Sequence, residues 1–162
     1  PPNGRMRLVE GKKGSFILDD TYNSSPAAAE QAIQTVKELT GHGKKIIVLG
    51  DMLELGQFSV REHERMGELA ASSCDILMTL GLRSRKIAAG ALDHGMSEKN
   101  IFQYDDIDRA GKELLQMIEP NDVILVKASQ GIRAEKIVER LMLHPEDARK
   151  LLVRQSKAWS QR

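Results

Sequence analysis

The stretch Ser15-Phe16-Ile17-Leu18-Asp19-Asp20-Thr21-Tyr22-Asn23-Ser24-Ser25-Pro26 decides the fold. Its opening run does not alternate apolar with polar residues, as in a strand covered on both faces. The run ends at two acids. Ser24-Ser25-Pro26 then offers a serine N-cap with proline at the first helical position. Ala29, Ala32, Ile33, Val36 and Leu39 fall on one helical face, and Gly41 can stop the helix.

The same alternation continues outward. Ile46-Ile47-Val48-Leu49, Ile76-Leu77-Met78-Thr79-Leu80, Ile101-Phe102-Gln103-Tyr104 and Val123-Ile124-Leu125-Val126 read as further strands. Helical patterns separate them. Ser59-Val60-Arg61-Glu62 reads as a capping box before Met66, Leu69 and Ala70. Ile87, Ala88, Ala91 and Leu92 form the next stripe, then Ile107, Ala110, Leu114, Met117 and Ile118, then Ile137, Val138, Leu141 and Met142. Strand–helix alternation at this spacing means parallel βαβ units with right-handed crossovers. Arg5–Glu10, Gly11–Gly14 and Ser15–Leu18 look like a hairpin that adds an antiparallel edge strand. The expected fold is a doubly wound, Rossmann-like α/β sandwich of about six strands, mostly parallel, with helices on both faces.

Composition bounds the function. The chain has 162 residues, which predicts one domain or two at most. Lys+Arg is 24 against 23 Asp+Glu, without the basic excess a nucleic-acid binder needs. No apolar run is long enough to span a membrane, and no signal peptide is visible. The one cysteine, Cys74, excludes an internal disulfide framework and fits a reducing, cytoplasmic setting; it is expected to pack. His42, His63, His94 and His144 are too far apart for a metal-ligand motif. The chain starts at Pro1, not Met, and is expected to be an excised piece of something longer. Residues 144–162 are basic, at net +3. A sixth helix is expected from Pro145 to about Trp159, docking Leu151 and Leu152 on the sheet domain rather than lying on anionic lipid.

In doubly wound sheets, ligands sit beyond the carboxyl ends of the strands. Asp19–Asn23, Gly50-Asp51-Met52, Gly81 and Lys127-Ala128-Ser129 are therefore the candidate site segments. Paired carboxylates at a strand end can accept hydrogen bonds from ribose hydroxyls or hold a metal, and the adjoining helix N-terminus favours phosphate oxygens. The same residues also read as a capped turn with solvated acids. Lys127 can hold a phosphate or carboxylate. Ser129 can equally be only a helix N-cap, and His63 only a packed side chain. No Gly-x-x-x-x-Gly-Lys-Ser/Thr loop is present, and Gly41-His42-Gly43 follows a helix, so it is not a dinucleotide fingerprint.

Several blocks together resemble one family. Asp19–Pro26 is similar to the signature that opens the C-terminal domain of Mur ligases. Val48–Gly56 with His63 and Gly67, then Val126–Gly131 with Glu135–Val138, and the Gly4-Arg5-Met6 opening resemble further blocks of it. The sequence departs from the pattern at Ser25, Ala128 and Gln130. The resemblance covers about 1–143, leaving 144–162 as a basic helical extension. Its Tyr-Asn version is most similar to the member that adds D-alanyl-D-alanine.

The resemblance implies an ATP-dependent ligase. ATP phosphorylates the carboxylate of UDP-N-acetylmuramoyl-tripeptide, and the amine of D-alanyl-D-alanine attacks the acyl phosphate. It further implies that N-terminal and central domains of the same polypeptide hold the triphosphate and magnesium. On that basis Arg5 would reach the nucleotide phosphates and Asp20 the ribose, with Tyr22 and Asn23 along the nucleotide edge. Asp51, His63, Lys127 and Ser129 would face the amine substrate or the interdomain cleft. No catalytic or metal-binding residue is expected in this domain, and the isolated chain is not expected to turn over. Replacing Asp20 is expected to impair ATP use without unfolding the domain. The alternatives are another Mur-type amino-acid ligase, which the Tyr-Asn and Gly-Asp-Met-Leu-Glu-Leu-Gly segments oppose, and a non-catalytic flavodoxin-like binding module.

Overall fold

A computed structural model of the chain describes residues 1–160; Arg162, part of the basic tail, lies outside them. Strands β1 (Arg7–Glu10), β2 (Phe16–Asp20), β3 (Lys45–Gly50), β4 (Ile76–Leu80), β5 (Ile101–Tyr104) and β6 (Val123–Lys127) form one sheet in the order β1-β2-β6-β3-β4-β5. Only β1–β2 is antiparallel; every other pair is parallel. The hairpin thus supplies the antiparallel edge, as the Arg5–Leu18 pattern predicts.

Successive side chains of a strand point to opposite faces, and here both faces are apolar. Ile46, Val48, Ile124 and Val126 pack toward helices α4 (Ile107–Met117) and α5 (Glu135–Leu141). Ile47, Leu49, Leu77 and Leu125 pack toward α1 (Pro26–Glu38), α2 (Ser59–Ala71) and α3 (Arg85–Asp93). This is why the runs do not alternate.

Helix α1 begins as expected, with the Ser25 side chain accepting from Ala28 N–H and Pro26 in the first turn. Its end differs, because Leu39 closes it in extended backbone and Gly41 lies beyond in a left-handed turn. The Ser59 capping box does not form. A short 3-10 turn, Gly56–Phe58, leads directly into α2, so Ser59 is already helical and its carbonyl is used by His63.

The tail is not one helix. Pro145–Asp147 is a 3-10 turn, α6 (Ala148–Leu151) is a single turn, and α7 (Lys157–Ser160) follows a bent stretch in which Arg154 adopts left-handed backbone. Docking accompanies this shape: Ala148 and Leu152 are buried in the core cluster that also holds Ile17 of β2 and Ile137 of α5, with Leu151 packed alongside. Among the described residues no helix is long and apolar enough to cross a membrane.

Candidate functional site

The register of the sheet creates the site. Parallel pairing places Asp20 opposite Lys127 at the carboxyl ends of β2 and β6. Lys127 Nζ lies 2.7 Å from Asp20 Oδ2, and it also donates to the Asn23 carbonyl at 3.0 Å. The Lys127 side chain is 2% exposed and that of Asp20 12%. Met6 N–H donates to Asp20 Oδ1 at 3.1 Å, which ties the start of the chain to the strand end. A carboxylate offers about four acceptor positions, so Asp20 can accept more from a ligand.

Arg5 lies over the Tyr22 ring, 4.2 Å from its centroid. Both side chains are exposed. Among the described residues the Arg5 guanidinium has no carboxylate partner. A cavity of about 290 Å³ lies between Arg5, Asp20, Tyr22, Asn23, Lys127 and the first turn of α1 at Ser25 and Ala28. An unpaired guanidinium beside a helix N-terminus is a favourable setting for an anion. On the other side of the Arg5–Tyr22 stack a wider cavity of about 730 Å³ is lined by Asn3, Gln130, Arg154 and Trp159.

Five of the expected residues therefore meet: Arg5, Asp20, Tyr22, Asn23 and Lys127. Lys127, expected with Asp51, His63 and Ser129 at the amine substrate or the interdomain cleft, pairs with Asp20 and lines the same cavity. Asp51, His63 and Ser129, expected to face the amine substrate or the interdomain cleft, are buried and hydrogen-bonded to groups of this chain. His63 Nε2 accepts from Met52 N–H at 3.0 Å, so Nδ1 carries the proton and donates to the Ser59 carbonyl at 2.7 Å. Asp51 Oδ1 accepts from Ser84 N–H and Oγ at 2.7 and 2.8 Å, and Arg83 lies 3.6 Å from Oδ2. Ser129 Oγ accepts from Leu53 N–H at 3.0 Å. His63 and Ser129 thus satisfy backbone groups of the loop after β3, and Asp51 ties that loop to the one after β4. Cys74 packs; burial pushes its thiol up to about 12, far from reactive.

A second buried cluster backs the site and was not legible from the sequence. Glu135 accepts from Arg154 Nε at 3.0 Å and from Arg154 Nη2 at 2.7 Å, and also from Arg133. Burial pushes the Glu135 carboxyl up, but the hydrogen bonds from Arg154 and Arg133 outweigh it and hold the group below its usual range. Arg133 and Arg154 also flank the Trp159 ring. Arg133 and Glu135 are near neighbours in sequence, but Arg154 lies 19 residues beyond Glu135, too far for a local pattern to link it to them.

Asp19 sits between the two clusters. Its Oδ1 accepts from Thr21 Oγ at 2.6 Å and Thr21 N–H at 3.2 Å, whereas buried Oδ2 has no partner. Burial pushes the Asp19 carboxyl up to about 6; the Thr21 bonds oppose this, and the charges of Asp20 and Glu135 add to it. The folded state then binds this proton more tightly than the unfolded chain. The resulting stability is present below about pH 4 and lost as pH rises through 6. Raising the carboxyl from its ordinary range to about 6 corresponds to about 3 kcal/mol. Asp19→Asn keeps an oxygen for Thr21 and removes the titration. Urea unfolding from pH 4 to 7 should show the native chain losing about 3 kcal/mol relative to the variant. Parallel curves would show that Asp19 does not titrate there.

Among the described residues no cluster of His, Cys, Asp and Glu could hold a metal ion.

Residues 4–130 match the family described as Mur ligase, glutamate ligase domain. The chain belongs to the Mur ligase family. This Mur ligase domain is 38% identical over 146 residues to the UDP-N-acetylmuramoyl-tripeptide–D-alanyl-D-alanine ligase of Bacillus subtilis, covering 87% of the chain and 31% of that protein. It is 28% identical over 141 residues to the ligase of the same name from Escherichia coli, covering 85% of the chain and 29% of that protein. Among solved structures it is similar to the MurF ligase from Thermotoga maritima in complex with ADP, at 31% identity and a TM-score of 0.72, covering 86% of the chain and 30% of the other. The Mur ligase domain thus spans under a third of the length of these relatives.

Proposed function

We propose that this chain is the C-terminal domain, residues 1–143 with a tail at 144–162, of a cytoplasmic ATP-dependent ligase. The ligase joins D-alanyl-D-alanine to UDP-N-acetylmuramoyl-tripeptide in peptidoglycan precursor synthesis. The single observation that carries the nucleotide part is the Arg5 guanidinium, stacked on Tyr22 without a carboxylate partner at the rim of the Asp20–Lys127 cavity. Similarity to the Bacillus subtilis ligase supports the choice of substrates.

In the proposed reaction a tripeptide carboxylate oxygen attacks the γ-phosphorus of ATP, and ADP leaves. The D-alanyl-D-alanine nitrogen then attacks the acyl carbon. Phosphate departs, and the nitrogen gives up a proton. Arg5 would offset phosphate charge, and Asp20 would accept from the ribose hydroxyls. Tyr22 and Asn23 would line the nucleotide edge. Closing such a domain over the reacting groups excludes water from a hydrolysable acyl phosphate. By the family resemblance, magnesium, the triphosphate and the tripeptide would be held mainly by the other domains of the same polypeptide.

The test uses the full-length polypeptide with ATP, the tripeptide nucleotide and D-alanyl-D-alanine. Phosphate release should require all three, and Arg5→Ala should raise the KM for ATP roughly 10-fold or more. Release driven by glutamate or diaminopimelate instead would assign the domain to another Mur-type ligase. No release with any amine would favour a non-catalytic binding module.

A further inference from the structure

The tail reaches back to the loop that carries the candidate nucleotide residues, and one side chain makes the connection. Arg154 spends four of its five N–H groups on partners of this chain: two on Glu135, one on the Thr21 carbonyl and one on the Tyr22 carbonyl, the last at 3.1 Å. Its side chain is 6% exposed and that of Glu135 1%. Pinning two successive carbonyls with one rigid guanidinium fixes the two peptide planes that flank the Tyr22 Cα. Together these planes set the direction of Tyr22, on which Arg5 is stacked.

Neighbouring contacts act the same way. Tyr22 N–H donates to the Gly4 carbonyl at 2.9 Å. Val153 closes over Gly4, where a Cβ would fall 2.7 Å from Val153 Cγ1. Asn3 donates to the Lys150 carbonyl at 2.9 Å. Arg154 and Arg133 both adopt left-handed backbone (φ +55° and +60°), which L-residues populate sparsely and which surrounding structure must enforce.

We propose that Arg154 is a positioning residue for nucleotide binding. Held by Glu135, it orients the Thr21–Asn23 loop and so presents the Arg5–Tyr22 stack to the nucleotide, without touching the nucleotide itself. The tail is in this way part of the site's scaffold. The proposal rests on the nucleotide reading of the Arg5–Asp20 cavity made above.

The test is steady-state kinetics of the full-length ligase carrying Arg154→Ala, Arg154→Lys or Arg5→Ala, with melting temperatures measured alongside. Arg154→Lys keeps a cation for Glu135, so the fold holds, but a point charge cannot span Glu135 and both carbonyls. It should raise the KM for ATP roughly 5- to 30-fold, with kcat within about twofold and the KM for D-alanyl-D-alanine unchanged. Arg154→Ala should raise it further, and if that variant fails to fold, the lysine variant decides. An ATP KM raised by Arg5→Ala but unmoved by Arg154→Lys overturns the positioning role alone. An ATP KM unmoved by Arg5→Ala overturns the nucleotide reading and the proposal with it. A uniform fall in kcat with no change in ATP KM would mark Arg154 as structural only.

Discussion

Asp20→Ala is expected to lower the melting temperature of the isolated chain by roughly 6–20 °C, in addition to its effect on ATP use. Asp20 is half of an ion pair whose ammonium is 2% exposed. Removing one partner of a buried pair leaves an uncompensated charge and costs about 3–5 kcal/mol. For a domain of this size each kcal/mol is worth about 2–4 °C. The domain should still fold, but this pairing adds a stability cost that becomes visible only when β2 and β6 are set in register.

The double substitution Asp20→Ala/Lys127→Met removes the orphaned charge and fills its space with an apolar chain. It should recover most of the lost stability, since replacing a buried pair by well-packed apolar groups is often neutral. The ligase that carries it should still show a raised KM for ATP. Urea unfolding of the three proteins separates the two effects. An Asp20→Ala variant as stable as the native chain would show that the pair contributes nothing to the fold.

The second large effect is expected far from the cavity, where α2 crosses α3. A Cβ at Gly67 would sit 2.0 Å from the Ile87 carbonyl oxygen, and one at Gly90 would sit 2.1 Å from the Glu64 carbonyl oxygen. These obstacles are helix backbone, which cannot rotate aside as a side chain can. Gly67→Ala must therefore push the helices apart. Overpacking of this kind costs about 3 kcal/mol, or roughly 6–12 °C in melting temperature. Gly90→Ala should behave alike, because it opens the same crossing from the other side. Since α2 also carries His63, whose ring holds the Met52 amide, the loop after β3 should lose hydrogen-exchange protection in both variants. A Gly67→Ala protein that melts with the native chain would mean that the crossing is looser than its geometry states.

The sequence by itself determined the architecture. The non-alternating runs at Ile46–Leu49 and Val123–Val126 require apolar cover on both faces, and helical stripes between them supply it, so a parallel sheet follows from burial alone. It also located the loops at the strand ends, where Asp20, Tyr22, Asn23 and Lys127 meet. Tertiary structure decided what each side chain does there. Asp51, His63 and Ser129 stand at positions that read equally as ligand-facing or structural. Only the approach of their neighbours shows them capping the backbone of adjoining loops. Local propensity does not foresee the broken tail, because a helix from Pro145 onward would carry Arg154 away from Glu135 and the Thr21–Tyr22 carbonyls. A bidentate pair with a buried carboxylate outweighs a few residues of helix. Contacts between residues so distant in sequence leave no periodic trace, since they depend on which strand lies beside which.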